Sequence, residues 1–202
     1  MEHSFFLTVR KVNLHYFFPL FREGVIIKTL VGGNIKDFLS LDLNIPPDYV
    51  DKRIQTIFLD GKAVDDLEGT MVRDGSTLAL SGALPGLVGA TFRRKGTYAS
   101  LRRAITFSEE KETIPQKEGR VVLKLFNLLV PELGPLFLAQ GIWISGKDLD
   151  QFLKGRDEEF WRGLKTARMD HQDMDVMTLK EMRWSPNEEP VLLKVTPITP
   201  ES

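Results

Sequence analysis

Five cationic side chains, Arg93, Arg94, Lys95, Arg102 and Arg103, fall close together in a chain whose net charge is only −1. They follow SGALPGLVGATF (residues 81–92), a stretch of small and apolar residues that contains Gly82, Pro85, Gly86 and Gly89. Two chemistries suit this pattern. Glycines let backbone N–H groups approach an anion closely, and arginine forks grip a carboxylate or phosphate in two places. Alternatively, the segment Leu84 to Lys95 is an apolar, positively flanked contact surface for a protein partner. The spacing matches neither the phosphate-binding loop of nucleotide hydrolases nor a dinucleotide fingerprint, and no Lys-Ser/Thr pair follows the last glycine. Phe92 and Tyr98 are interleaved with the cations, so residues 91–103 also fit a short nucleic-acid track of stacked bases and paired phosphates.

Other chemistry-bearing residues are less pointed. MDHQDMD (169–175) places His171 among Asp170, Asp173 and Asp175, a set able to hold a divalent ion. The calcium-loop pattern fails there, for want of a turn glycine and a closing glutamate, and a solvated acidic loop is expected instead. Ser81-Gly82 does not sit in a G-x-S-x-G turn, and no histidine follows in a triad order. Asp65-Asp66 and Glu158-Glu159 are adjacent carboxylate pairs, a pattern typical of exposed faces. With no cysteine, the chain has no disulfide, thiolate metal site or cysteine nucleophile. No catalytic residue, metal or cofactor is expected.

These groups sit in a chain of 202 residues, enough for one large domain or two small ones. Apolar residues make up 42% and charged residues 27%, the balance of an ordinary globular protein. No Asp or Glu occurs from Gly75 to Ser108, so positive charge gathers in mid-chain while the flanks are slightly acidic. A global attraction to nucleic acid or anionic membrane is therefore absent. MEHSFFLTVRK lacks the basic start and unbroken apolar run of a signal peptide. Residues 75–92 are uncharged, but Pro85 and four glycines argue against a spanning helix. A cytoplasmic, non-membrane protein is expected.

The elements that must position these groups can be read from periodicity. Phe5 to Val12 and Val25 to Val31 are β-branched and aromatic, and predict two strands, taken as antiparallel neighbours. The aromatics of His15 to Gly24 read as an extension of the first. Asn34 caps a short helix with Ile35, Phe38 and Leu39 on one face, stopped by Pro46-Pro47. Ile54 to Leu59, Lys62 to Val64, Thr70 to Val72 and Thr77 to Leu80 predict further strands, with Asp60-Gly61 as a hairpin turn.

Together GGNIKDFLSLDLNIP, IFLDGKAVDD and TMVRDGSTLALSGALPG give residues 5–90 a resemblance to the ubiquitin-like β-grasp sulfur-carrier proteins of thiamin and molybdopterin synthesis. The resemblance implies a β-grasp fold. It does not carry the chemistry over, because those carriers end in a free Gly-Gly carboxylate. This chain has Gly86-Leu87 and Gly89-Ala90 there and runs on for more than a hundred residues.

Beyond a basic then polar linker at 91–119, the second half reads as a separate α+β unit over 120–202. Residues 120–130 predict a strand, Pro131 to Pro135 a turn, and Leu136 to Ser145 a hairpin return. Ser145 and Asp148 form a capping box ahead of a helix with Leu149, Phe152 and Leu153 inward. Phe160, Trp161 and Leu164 mark another helical turn, and Val176 to Trp184 and Val191 to Ile198 close with two strands. The fold class expected is thus α+β, a β-grasp unit followed by a second small α+β unit. The function expected is a non-enzymatic protein-binding module, with a protein partner or self-association engaging the 82–95 segment. The alternatives are an enzyme or anion binder between the halves near Arg93 and Arg94, and an RNA-binding accessory domain.

Overall fold

The computed structural model describes residues 3–82, 92–94, 115–182 and 189–198. Along the chain run β1 (His3–Val9), a 3-10 turn (Lys11–Phe17), α1 (Phe18–Glu23), β2 (Val25–Val31), α2 (Ile35–Asp37), α3 (Pro47–Lys52), β3 (Thr56–Leu59), β4 (Lys62–Ala63) and β5 (Thr77–Ser81). After them come β6 (Lys117–Phe126), α4 (Leu129–Gln140), β7 (Ile142–Ser145), α5 (Gly146–Lys154), α6 (Glu158–Gly163), β8 (Leu164–Met169), β9 (Gln172–Met174), α7 (Val176–Glu181) and β10 (Pro190–Pro197). The mixture of helices with parallel and antiparallel strands is α+β. Two units result, one from residues 21–130 and one from residues 1–20 with 131–202.

In the 21–130 unit the strand order is β4-β3-β5-β6-β2. β6 is antiparallel to β2, with Val25 opposite Leu123, and parallel to β5, with Thr77 opposite Val122. β3 is antiparallel to both β5 and β4. The predicted turn is present: Asp60 and Gly61 both have positive φ, as a tight two-residue hairpin requires, and Asp60 accepts from the Thr77 N–H at 2.7 Å. Asn34 caps α2 by accepting from the Asp37 N–H at 2.8 Å. The helix then widens into a π turn over Phe38–Asp42, in which the Leu43 N–H reaches back to the Phe38 carbonyl. Ile35, Phe38 and Leu39 are fully buried, together with Ile57, Leu80 and Leu123. A helical segment this short gains its stability from that burial rather than from propensity.

The other unit has the order β7-β10-β1-β8-β9. β1 lies parallel to β10 and antiparallel to β8. Ser145 caps α5 by accepting from the Asp148 N–H at 3.0 Å, and Leu149, Phe152 and Leu153 face inward as their spacing predicts. Phe17, Phe152 and Phe160 form an aromatic cluster with ring centroids 5.1–6.0 Å apart.

Several expectations need correction. β1 and β2 are not antiparallel neighbours; each pairs with strands far along the chain. Residues 11–23 are helical rather than a strand extension, with Phe17 and Phe21 buried. Thr70 to Val72 contributes only a bridge between Asn34 and Met71. Residues 129–140 form a helix, not a turn and hairpin strand; Pro131 falls in its first turn, where a missing N–H costs nothing, and Pro135 is tolerated within it. Residues 176–181 are helical because Asp175 accepts from the N–H groups of Met177 and Thr178. The units also do not divide at 90 and 120. β6 enters the middle of the first sheet and takes its neighbours with it.

Candidate functional site

Of the nine residues singled out around the glycine segment, Gly82, Arg93 and Arg94 lie within the described structure. Pro85, Gly86, Gly89, Lys95, Arg102 and Arg103 lie outside the described residues. Phe92 packs against Phe58 of β3, ring centroids 5.2 Å apart and planes tilted by 52°. Arg94 follows it onto the same unit: its N–H donates to the Gln55 carbonyl at 2.7 Å. Its Nη2 donates to the carbonyls of Val50 and Ile54, each at 2.8 Å, and Nε reaches Ile54 at 3.2 Å. Val50 lies in the last turn of α3, whose terminal carbonyls have no intrahelical partner, so the guanidinium closes that helix. Burial lowers the Arg94 pKa from its ordinary value, and the charges of Asp51 and Asp65 oppose that shift. Arg93, next to it, is exposed.

Arg94 also lines one side of a groove of about 500 Å³ between the π turn, α3 and the loop at 65–68. Its apolar part comes from Leu41, Pro47, Val50 and Leu67. Among the described residues its lining is acidic, with Asp37, Asp51, Asp65, Asp66 and Glu68 against Lys36 and Arg94. Both cations are engaged within the protein. Lys36 Nζ donates to Glu68 at 2.7 Å, a bond that raises the lysine pKa, and Arg94 is bound to backbone carbonyls. Asp66 builds the loop by accepting from the N–H groups of Glu68 and Gly69.

A second groove, of about 960 Å³, lies across the π turn and is lined by Lys28, Leu30, Asp42, Asp74, Glu118 and Arg120, among others. Burial, assisted by the charge of Asp37, raises the Asp42 pKa. Leu41 lines both grooves, and its side chain stands 76% exposed on the ridge between them. A residue two places after buried Leu39 lies on the opposite side of a helical turn, which is how Leu41 comes to point outward. In the sequence the signal was its position: Leu41 falls off the face marked by Ile35, Phe38 and Leu39.

The acidic hairpin at 169–175 does not assemble a metal set. Asp170 and His171 both have positive φ in the two-residue turn between β8 and β9. Asp170 accepts from the Ser4 N–H at 2.8 Å and meets His3 at 2.7 Å, contacts that lower its pKa. Asp173 pairs with Arg168 at 2.6 Å, while Asp175 caps α7. The three carboxylates are thus drawn to three different partners. Among the described residues no group of three or more metal-ligating side chains converges, and no helix is long and apolar enough to cross a membrane.

Compared with protein-family models, with curated proteins and with solved structures, the chain finds no significant match.

Proposed function

We propose that residues 21–130 are a circularly permuted β-grasp unit serving as a non-catalytic docking module for a protein partner. The strand order supports the fold reading. A β-grasp sheet sets its first and last strands side by side and parallel in the middle, each flanked by an antiparallel neighbour. Here β5 and β6 are the parallel central pair, β3 flanks β5, β2 flanks β6, and the helical segment follows β2. The strand in the first position is β6, the last of this unit along the chain. The register of Val25 with Leu123 sets the end of β6 beside the start of β2, where an unpermuted chain would turn. Sulfur transfer is left out of this reading, since the chain continues past β5 and the terminal Gly-Gly is lacking.

The single observation that carries the docking reading is Leu41, a large apolar side chain 76% exposed on a π turn and flanked by two grooves. A partner that covers such a side chain gains the free energy of removing its apolar area from water, and the grooves on either side offer room for flanking contacts. The anion-binding alternative is weaker because the Arg94 guanidinium is turned onto its own helix end.

Leu41→Asp tests the reading in quantitative affinity purification of the full chain from its native cells. A partner enriched by the wild type and reduced at least about tenfold by the variant is expected. Enrichment that is the same for both, with unchanged circular dichroism, contradicts docking at this ridge.

A further inference from the structure

We infer that the groove between the π turn, α3 and the 65–68 loop takes a short cationic segment of a partner protein, one that carries an apolar residue beside its Lys or Arg side chains. This deepens the docking reading and rests on it. The inference starts from complementarity. Five carboxylates rim the groove, and the two cations beside them are held by bonds within the protein. Among the described lining residues the carboxylates outnumber the cations, so a cationic side chain entering the groove meets net negative potential, whereas a phosphate or acidic peptide is repelled.

Apolar contact supplies the second half of the recognition. Val50, only 3% exposed, together with Pro47 and Leu67, forms an apolar lining, and exposed Leu41 stands at its edge. A lysine or arginine stem lies well along such a surface while its charged end reaches the carboxylates at the rim. The volume of about 500 Å³ suits a few side chains rather than a folded domain. Asp51, on α3, and Asp65, on the facing loop, line the groove from two sides, and the charge of each opposes the lowering of the Arg94 pKa by burial. Polyamines share the charge but not the apolar residue, and the lining above separates the two.

The test uses the full chain and a panel of eight-residue peptides, each with two Lys or Arg residues beside one Leu or Phe. Matched peptides with Glu in place of the cations, and spermidine, serve as comparisons. Fluorescence anisotropy is expected to give saturable binding by the cationic panel, with Kd on the order of 10–100 µM for its best members. Asp51→Asn and Leu41→Asp should each weaken it at least about threefold, and raising salt from about 50 to 300 mM should weaken it several-fold. Both substitutions lie on exposed positions, and thermal unfolding checks that each variant is folded. The salt response of the unaltered chain is a readout independent of any variant.

No saturable binding, affinity unchanged by both substitutions, or equal binding of the Glu peptides overturns the inference. So does spermidine displacing the peptide as well as unlabelled peptide does, which would mark a small-amine site. Failure here with a partner still lost on Leu41→Asp leaves the docking ridge intact and removes only the cationic chemistry. Peptide binding with no Leu41-dependent partner in cells does the reverse.

Discussion

The Arg94 guanidinium donates through Nη2 to the carbonyls of both Val50 and Ile54 at 2.8 Å, so a side chain forty residues away in sequence finishes helix α3. Removing it leaves partly buried carbonyls without that donor. Arg94→Ala should destabilise the protein by about 1–3 kcal/mol, the usual range for charged hydrogen bonds. Arg94→Lys keeps the charge but cannot span both carbonyls, and should recover less than half of the loss. Urea unfolding measures both. An alanine variant as stable as the wild type would show that Arg94 does not hold the helix end.

Gly163 presses on Asn13: a Cβ added at Gly163 would lie 2.2 Å from the Asn13 side chain, which is itself 1% exposed. Gly163→Ala should therefore cost about 1–3 kcal/mol. Asn13→Ala added to it removes the obstructing atoms, so the double variant should be more stable than the sum of the single changes predicts. A double-mutant cycle by thermal unfolding gives the coupling. Simple additivity would contradict the contact.

Asp157 caps α6 by accepting from the Phe160 N–H at 2.8 Å and also accepts from the Tyr16 hydroxyl at 3.0 Å. The backbone bond is the main cause holding its pKa below the ordinary carboxylate value. A depressed folded-state pKa contributes stability that is fully present above the unfolded value of about 3.9 and lost as pH falls through the folded value. Asp157→Asn should lower the melting temperature at neutral pH and reduce the acid dependence below about pH 4. Parallel melting curves for wild type and variant over that whole range would remove the cap from the account.

The proposed permutation makes a prediction about connectivity. A chain that begins at residue 115, joins Phe126 to Val25 through a designed hairpin turn, and ends at Gly82 carries all five strands of the 21–130 unit in the order the proposal requires. It lacks Arg94 and so should fold with reduced stability but with cooperative unfolding and dispersed amide spectra. A molten or unfolded product, at low temperature as well, would count against the permuted reading.

What could be read from sequence was local. Asn34 and Ser145 announce their caps, Asp60-Gly61 its turn, and the burial of Phe152 and Leu153 follows from helical spacing. Pairing was not legible, because β6 joins β2 and β5 across long stretches of chain and nothing in its alternation names those neighbours. The helix over 176–181 was hidden by residues that suit a strand, although Asp175 ahead of it was a capping signal. The candidate site was the least visible part. Arg94 stood out as a cation within a basic cluster, and only its fold partners turn it into a helix cap. Leu41 fell off the face of Ile35, Phe38 and Leu39, but nothing in the sequence set grooves beside it.

Docking at the Leu41 ridge is most directly tested by placing a photocrosslinking amino acid at position 41 and irradiating the cells that make the full chain. A control probe goes at Lys11, an exposed residue of the other unit. The account predicts a discrete crosslinked protein that depends on position 41 and is absent from the control. Crosslinks confined to the chain itself, or the same adducts from both positions, would contradict it.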